Sequence, residues 1–146
     1  MSSLLDEDID KLNISNDNDD LSDQNINKTG YEYIKDIEKS LQAKEEGNNL
    51  FRNKEYDESL EYYSKAITYC PEDDENKENL ATFYGNRSAA YFALEEYELV
   101  IDDCTTALGL KPDYVKVLAR RMACYEKLEK YEEALNGTYY YLHDKI

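Results

Sequence analysis

Tryptophan is absent from this 146-residue sequence, histidine occurs once, proline twice and glycine five times. The single His143 leaves no partner for a nucleophile–histidine–acid arrangement, and five scattered glycines make no phosphate-cradling loop. Acidic pairs such as Glu45–Glu46 and Asp102–Asp103 are adjacent, so on a helix they splay apart. The sequence therefore points away from an enzyme. Three widely spaced cysteines, Cys70, Cys104 and Cys124, form no CxxC pair and no Cys/His cluster, so neither a zinc site nor any other metal centre is expected. They read as small buried residues in a reducing compartment.

Positive charge is also scarce. Seventeen basic residues face 33 acidic ones, for a net charge of -16. A phosphate backbone would be repelled, so nucleic acid is excluded as a partner, and anionic membrane surfaces with it. No apolar run approaches the roughly 20 residues that span a bilayer, and "MSSLLDEDIDKL" lacks the basic and apolar regions of a signal peptide. The expected location is the cytoplasm.

What is present divides into two parts. Residues 1–30 are the first, an acidic tail. "SNDNDDLSDQNINKTG" (15–30) is almost free of apolar side chains and is expected to be disordered. Its "DNDDLSDQNINK" is not a calcium loop, because Ser22 stands where glycine is required and Lys28 where the closing glutamate belongs. From residue 31 to 146 the pattern is helical. Thr29 and Glu32 fit a capping box, and Tyr31, Ile34, Ile37 and Leu41 follow at helical spacing.

A repeat then appears. "NKEYDESL", "LEEYELVI" and "LEKYEEAL" place Tyr56, Tyr97 and Tyr131 in one context, 41 and 34 residues apart. Pro71 and Pro112 are 41 apart, and Tyr91 and Tyr125 are 34 apart. The period is 34, with seven extra residues at 74–80 between the first two copies. Each copy reads as two helices, the second stopped near a proline. Helices are predicted at 31–53, 56–70, 76–94, 97–109, 113–128 and 131–144, with the insertion lengthening the third at its start.

This resembles the tetratricopeptide repeat (TPR) family. The resemblance covers repeats at 40–73, 81–114 and 115–146. Gly47, Ser59, Ala66 and Pro71 occupy the family's marked places in the first copy. Ser88, Val100, Ala107 and Pro112 do so in the second, and Met122, Ala134 and Tyr141 in the third. Tyr141 departs from the expected alanine. The resemblance implies an all-α, right-handed superhelix of three helix-turn-helix repeats, with a concave face lined by the first helix of each pair. It also accounts for Gly47 inside a helix. The glycine gives up roughly 1 kcal/mol of propensity relative to alanine, and a close approach of the partner helix offsets that.

Along the first helices run Lys44 and Asn48, then Asn86, then Lys116 and Arg120, with no acid among them. "KEEGN" (44–48), "NRSAA" (86–90) and "KVLAR" (116–120) resemble the carboxylate clamp of chaperone-binding TPR proteins. That resemblance implies a non-catalytic adaptor or co-chaperone. Its ligand would be the C-terminal Glu-Glu-Val-Asp tail of cytosolic heat-shock chaperones of the seventy- and ninety-kilodalton classes. Lys44, Asn48 and Asn86 would hold the terminal carboxylate, while Lys116 and Arg120 would reach the Asp side chain and the peptide backbone. The chemistry is consistent: ammonium and guanidinium groups make charge-assisted bonds to carboxylates, and asparagine amides add uncharged directional donors. Repulsion from the acidic surface is limited by a Debye length of about 8 Å at physiological salt. Phe51, Ala89, Phe92 and Ala123, on the same helices, are expected to form the apolar pocket for the Val. Arg87 and Arg121 each follow a clamp position directly, point about 100° away and are expected to pair with acids on neighbouring helices.

Two rival readings are a scaffold for another acidic partner and a module that assembles through its last helix. "ALNGTYYYLHDKI" lacks a capping helix and is expected to expose Tyr and Leu side chains on which two copies could pair.

Overall fold

The computed structural model describes residues 34–130, 132–133 and 135–137. The expected acidic tail and capping box fall outside this range, as do Tyr141 and most of the last helix.

The described residues are all-helical: α1 (Ile37–Arg52), α2 (Tyr56–Tyr69), a 3-10 turn (Asp74–Asn76), α3 (Lys77–Ala93), α4 (Tyr97–Leu110) and α5 (Val115–Lys127). Residues 132–133 and 135–137 are helical as well. Helices α1 and α2 pack as one pair and α3 and α4 as the next, with α2 against α3 and α4 against α5. These are the helix-turn-helix repeats that the 34-residue period predicts.

Two predicted boundaries move. The first helix begins at Ile37, not residue 31, since Ile34, Lys35 and Asp36 are not helical. Asp36 is the stronger stop: its backbone is extended, and its carboxylate accepts from the N–H groups of Glu38 (2.9 Å) and Lys39 (3.2 Å). Its own N–H donates to the Tyr69 carbonyl (2.8 Å), and Lys35 Nζ donates to Thr68 O (3.0 Å). The segment is thus tied to the end of α2, which leaves Ile34 56% exposed. The fifth helix begins at Val115, because Pro112–Tyr114 form a turn closed by Tyr114 N–H on Lys111 O (3.2 Å). The insertion extends α3 as expected, after the 3-10 turn that Asp73 caps.

The core is built mostly from small residues, with Phe83 its largest fully buried side chain. Ala43, Ala66, Cys70 and Phe83 make one cluster, and Val100, Cys104, Ala107, Val117 and Cys124 a second. All three cysteines are fully buried, and burial raises each thiol's pKa, that of Cys124 to about 11.

The turns inside the three repeats share one device. Lys54, Glu95 and Glu129 adopt φ of 63°, 60° and 59°. In the first, Lys54 N–H donates to Phe51 O (2.9 Å) and Glu55 N–H to Leu50 O (2.9 Å). The same two bonds recur after α3 and α5. This is a Schellman closure made without glycine. Glycine at any one of these places removes the steric cost of left-handed backbone. Each of Lys54→Gly, Glu95→Gly and Glu129→Gly is expected to stabilise by about 1 kcal/mol, or roughly 4–8 °C in Tm. Thermal melts followed by circular dichroism check this, and unchanged or lower Tm in all three would refute it.

Candidate functional site

The two glycines of the first helices explain how the site is assembled. Gly47 is buried on α1, and a Cβ there would lie 2.7 Å from Cδ1 and Cε1 of Tyr63 on α2. Gly85 on α3 is matched by Tyr114, whose ring and hydroxyl would lie 2.8 Å from such a Cβ. The close approach expected at Gly47 is therefore made by a tyrosine ring.

That ring carries the site's first hydrogen bond. Tyr63 is 2% exposed, and its hydroxyl donates to Asn48 Oδ1 (2.7 Å). Burial raises the Tyr63 pKa to about 12; Arg52 opposes the shift and Glu45 adds to it, so the hydroxyl remains a donor. Asn86 Nδ2 on α3 donates to the same oxygen (3.3 Å). Two donors from two helices thus hold the Asn48 carbonyl. Its Nδ2 has no hydrogen bond among the described residues and is left as a donor.

Arg120 on α5 is anchored on α3. Its Nη1 donates to Gly85 O (2.9 Å) and Ser88 Oγ (2.8 Å), and Ser88 Oγ donates to Gly85 O (2.6 Å). The remaining guanidinium N–H groups make no hydrogen bond among the described residues. Lys44 is partly buried and lies 3.3 Å from Glu45, whose exposure leaves the pair screened by solvent and of little strength. Lys116 is exposed, with no ion pair or hydrogen bond among the described residues.

The structure thus joins Asn48 to Asn86 and ties Arg120 to the turn of α3 that holds Asn86. Lys44 and Lys116 bond to none of these three. Of the predicted pocket residues, Phe51 meets the Tyr56 ring edge-to-face (5.2 Å), and Phe92 meets Tyr97 in the same way (5.8 Å). Ala89 and Ala123 are half-buried. Sequence reasoning missed Tyr63, Gly85 and Ser88 as supports of the site. Ser88 was legible only as a small packing residue, and Tyr63 was one of 15 tyrosines.

Arg87 meets its expected acid. Nε and Nη2 grip Asp103 (2.8 and 2.7 Å), Nη1 reaches Ser64 Oγ (3.2 Å), and the rings of Tyr84 and Tyr91 flank the guanidinium. Among the described residues Arg121 meets no acid. Its bond is to a hydroxyl, Thr105 Oγ1 (3.3 Å), and its buried Nε has no hydrogen-bond partner among the described residues. The repeat explains why. Arg121, Tyr125 and Thr105 stand at the places of Arg87, Tyr91 and Ser64, but the place of Asp103 is taken by Gly137.

Chemically, the arrangement offers fixed N–H donors and cations to an anion. Among the described residues no cluster of three or more His, Cys, Asp or Glu side chains could hold a metal, and no helix is long and apolar enough to cross a membrane.

Known proteins share this architecture. The tetratricopeptide repeat signature matches residues 42–73. The mitochondrial import receptor subunit TOM70 of Homo sapiens is 38% identical over 102 residues, which are 70% of this chain and 16% of that protein. The chain thus spans under a fifth of the length of this curated relative. The first TPR of Spaghetti (RPAP3), solved with the HSP90 peptide SRMEEVD, is 32% identical at a TM-score of 0.64; the match covers 74% of this chain and 80% of that one. The second TPR domain of human RPAP3, solved with the HSP70 peptide SGPTIEEVD, is 28% identical at a TM-score of 0.62, covering 72% and 82%. Neither the signature nor these relatives is named for an enzymatic activity. The period read from the tyrosines and prolines thus recurs as paired helices in a solved relative, and the chain belongs to the tetratricopeptide repeat family.

Proposed function

We propose that this chain is a non-catalytic adaptor that binds the C-terminal Glu-Glu-Val-Asp peptide of cytosolic heat-shock chaperones of the seventy- and ninety-kilodalton classes. The observation that carries the proposal is the Asn48 amide. Its carbonyl is held by Tyr63 and Asn86, so its free Nδ2 is an oriented donor one turn from Lys44. Lys44, Asn48 and Asn86 take the terminal carboxylate. Lys116 and the free edge of the Arg120 guanidinium take the Asp side chain and the peptide backbone. Phe51, Ala89, Phe92 and Ala123 supply apolar contact to the Val. The RPAP3 structures support this reading, since both bound peptides end in EEVD. The carboxylate-clamp class and a cytoplasmic setting belong to the same proposal. A finer resemblance, to tetratricopeptide repeat protein 1, rests on the acidic N-terminus and on "CPEDDENKENL".

Calorimetric titration with SRMEEVD tests the proposal. The free acid is expected to bind at micromolar strength, and the C-terminal amide at least about 30-fold more weakly, since it loses a charge-assisted contact. Equal binding of acid and amide would favour a groove for another acidic partner, and no binding at all would remove the chaperone reading. Assembly of two copies through the C-terminal helix is the alternative suggested by Leu135, which is 69% exposed. Light scattering that shows a concentration-independent monomer removes it.

A further inference from the structure

We infer that Tyr63 is a positioning residue for peptide binding: its hydroxyl sets the Asn48 amide so that Nδ2, not Oδ1, is offered to the ligand carboxylate. The inference rests on the carboxylate-binding reading and deepens it.

An asparagine amide has two faces, a donor and an acceptor. Turned the wrong way, Asn48 would present a carbonyl oxygen to a carboxylate and repel it. Asn86 alone holds Oδ1 at 3.3 Å, a long bond from a side chain that is itself half-buried. The Tyr63 bond is shorter, at 2.7 Å, and comes from a ring that is 2% exposed. A buried ring has one place for its oxygen; that oxygen can donate or accept, and the Asn86 N–H on the same Asn48 Oδ1 is what leaves Tyr63 to donate. Gly47 makes this possible, because a Cβ at that position would lie 2.7 Å from the ring. The glycine and the asparagine of "KEEGN" therefore serve one purpose: the first admits the ring, and the second accepts its hydrogen bond.

A buried hydroxyl also needs a partner for its own sake, so the test must separate positioning from simple satisfaction. Tyr63→Phe keeps the ring and leaves Asn48 Oδ1 bonded to Asn86. The whole chain is prepared as wild type, Tyr63→Phe, Asn48→Ala and the double variant, and each is titrated with SRMEEVD as free acid. Tyr63→Phe is expected to weaken binding roughly three- to ten-fold, with Tm close to that of wild type. In the Asn48→Ala background, Tyr63→Phe is expected to cost nothing more, because the group it orients is gone. An equal loss in both backgrounds, or no loss in the single variant, overturns the inference.

Nuclear magnetic resonance of the peptide-free protein gives an independent arm. The order parameter of the Asn48 side-chain amide is expected to fall in Tyr63→Phe, and an unchanged value counts against positioning. If wild type fails to bind the free acid while this amide still loosens, the carboxylate reading falls and Tyr63 keeps only its effect on Asn48.

Discussion

Asp103→Ala is expected to lower the Tm by at least roughly 10 °C. The Asp103 side chain is 6% exposed and accepts both arms of the Arg87 fork. Removing it leaves the guanidinium of Arg87, whose side chain is only 21% exposed, wedged between Tyr84 and Tyr91 with Ser64 as its remaining hydrogen-bond partner. Breaking one side of a buried pair costs about 3–5 kcal/mol, and partial exposure of Arg87 places this case near the lower figure. A domain of this size holds only about 5–15 kcal/mol in all, and each kcal/mol moves Tm by roughly 4–8 °C. The double variant Arg87→Leu/Asp103→Leu is expected to recover most of the loss, because the cost lies in the orphaned charge. Denaturant melts of the two variants decide it: a double variant as unstable as the single one would place the cost in packing instead.

Repeat three offers the converse experiment. Gly137 occupies the place of Asp103, and a Cβ built there would sit in ordinary van der Waals contact, 3.7 Å from Arg121 Nη2 and 3.9 Å from Leu118 Cδ1. Gly137→Asp supplies a carboxylate to a guanidinium whose Nε is buried without a hydrogen-bond partner among the described residues. Helix propensity does not oppose the change. A gain of about 1 kcal/mol is expected. A Tm equal to or below wild type would mean that the third repeat cannot close on its arginine as the second does.

Lys116→Glu is expected to weaken binding of the free-acid peptide by about 100-fold or more while leaving Tm unchanged. The change removes a charge-assisted bond of about 1.5–3 kcal/mol and puts a like charge against the ligand's carboxylates. Lys116 is the cleanest residue for this test, because it is exposed and makes no bond among the described residues. Arg120→Glu would also break the contacts to Gly85 and Ser88, which mixes binding with folding. Titration and a thermal melt on the same sample check both halves. Binding within a few-fold of wild type would remove Lys116 from the proposed clamp.

The repeats, their helix pairs and the three buried cysteines were all legible in the sequence. Each follows from local chemistry: proline stops a helix, apolar residues recur at helical spacing, and a free cysteine behaves as a small hydrophobe. The same logic places Lys44 and Asn48 on one helix face and raises the question of Gly47. It put the start of α1 at residue 31, after the capping box of Thr29, and did not single out Asp36, whose N–H bond to Tyr69, 33 residues away, belongs to tertiary structure.

The partners of the site residues were likewise undecided until the helices packed. Nothing near Asn48 in the chain names Tyr63, which lies 15 residues on and on another helix. The empty place beside Arg121 shows in the repeat only once packing has identified Asp103 as the partner of Arg87, since Gly137 stands 34 residues after it. The sequence alone determined which groups this protein carries and how often they recur. Only the packed structure decided which way each amide and guanidinium faces, because a side chain's direction is set by the atoms pressed against it.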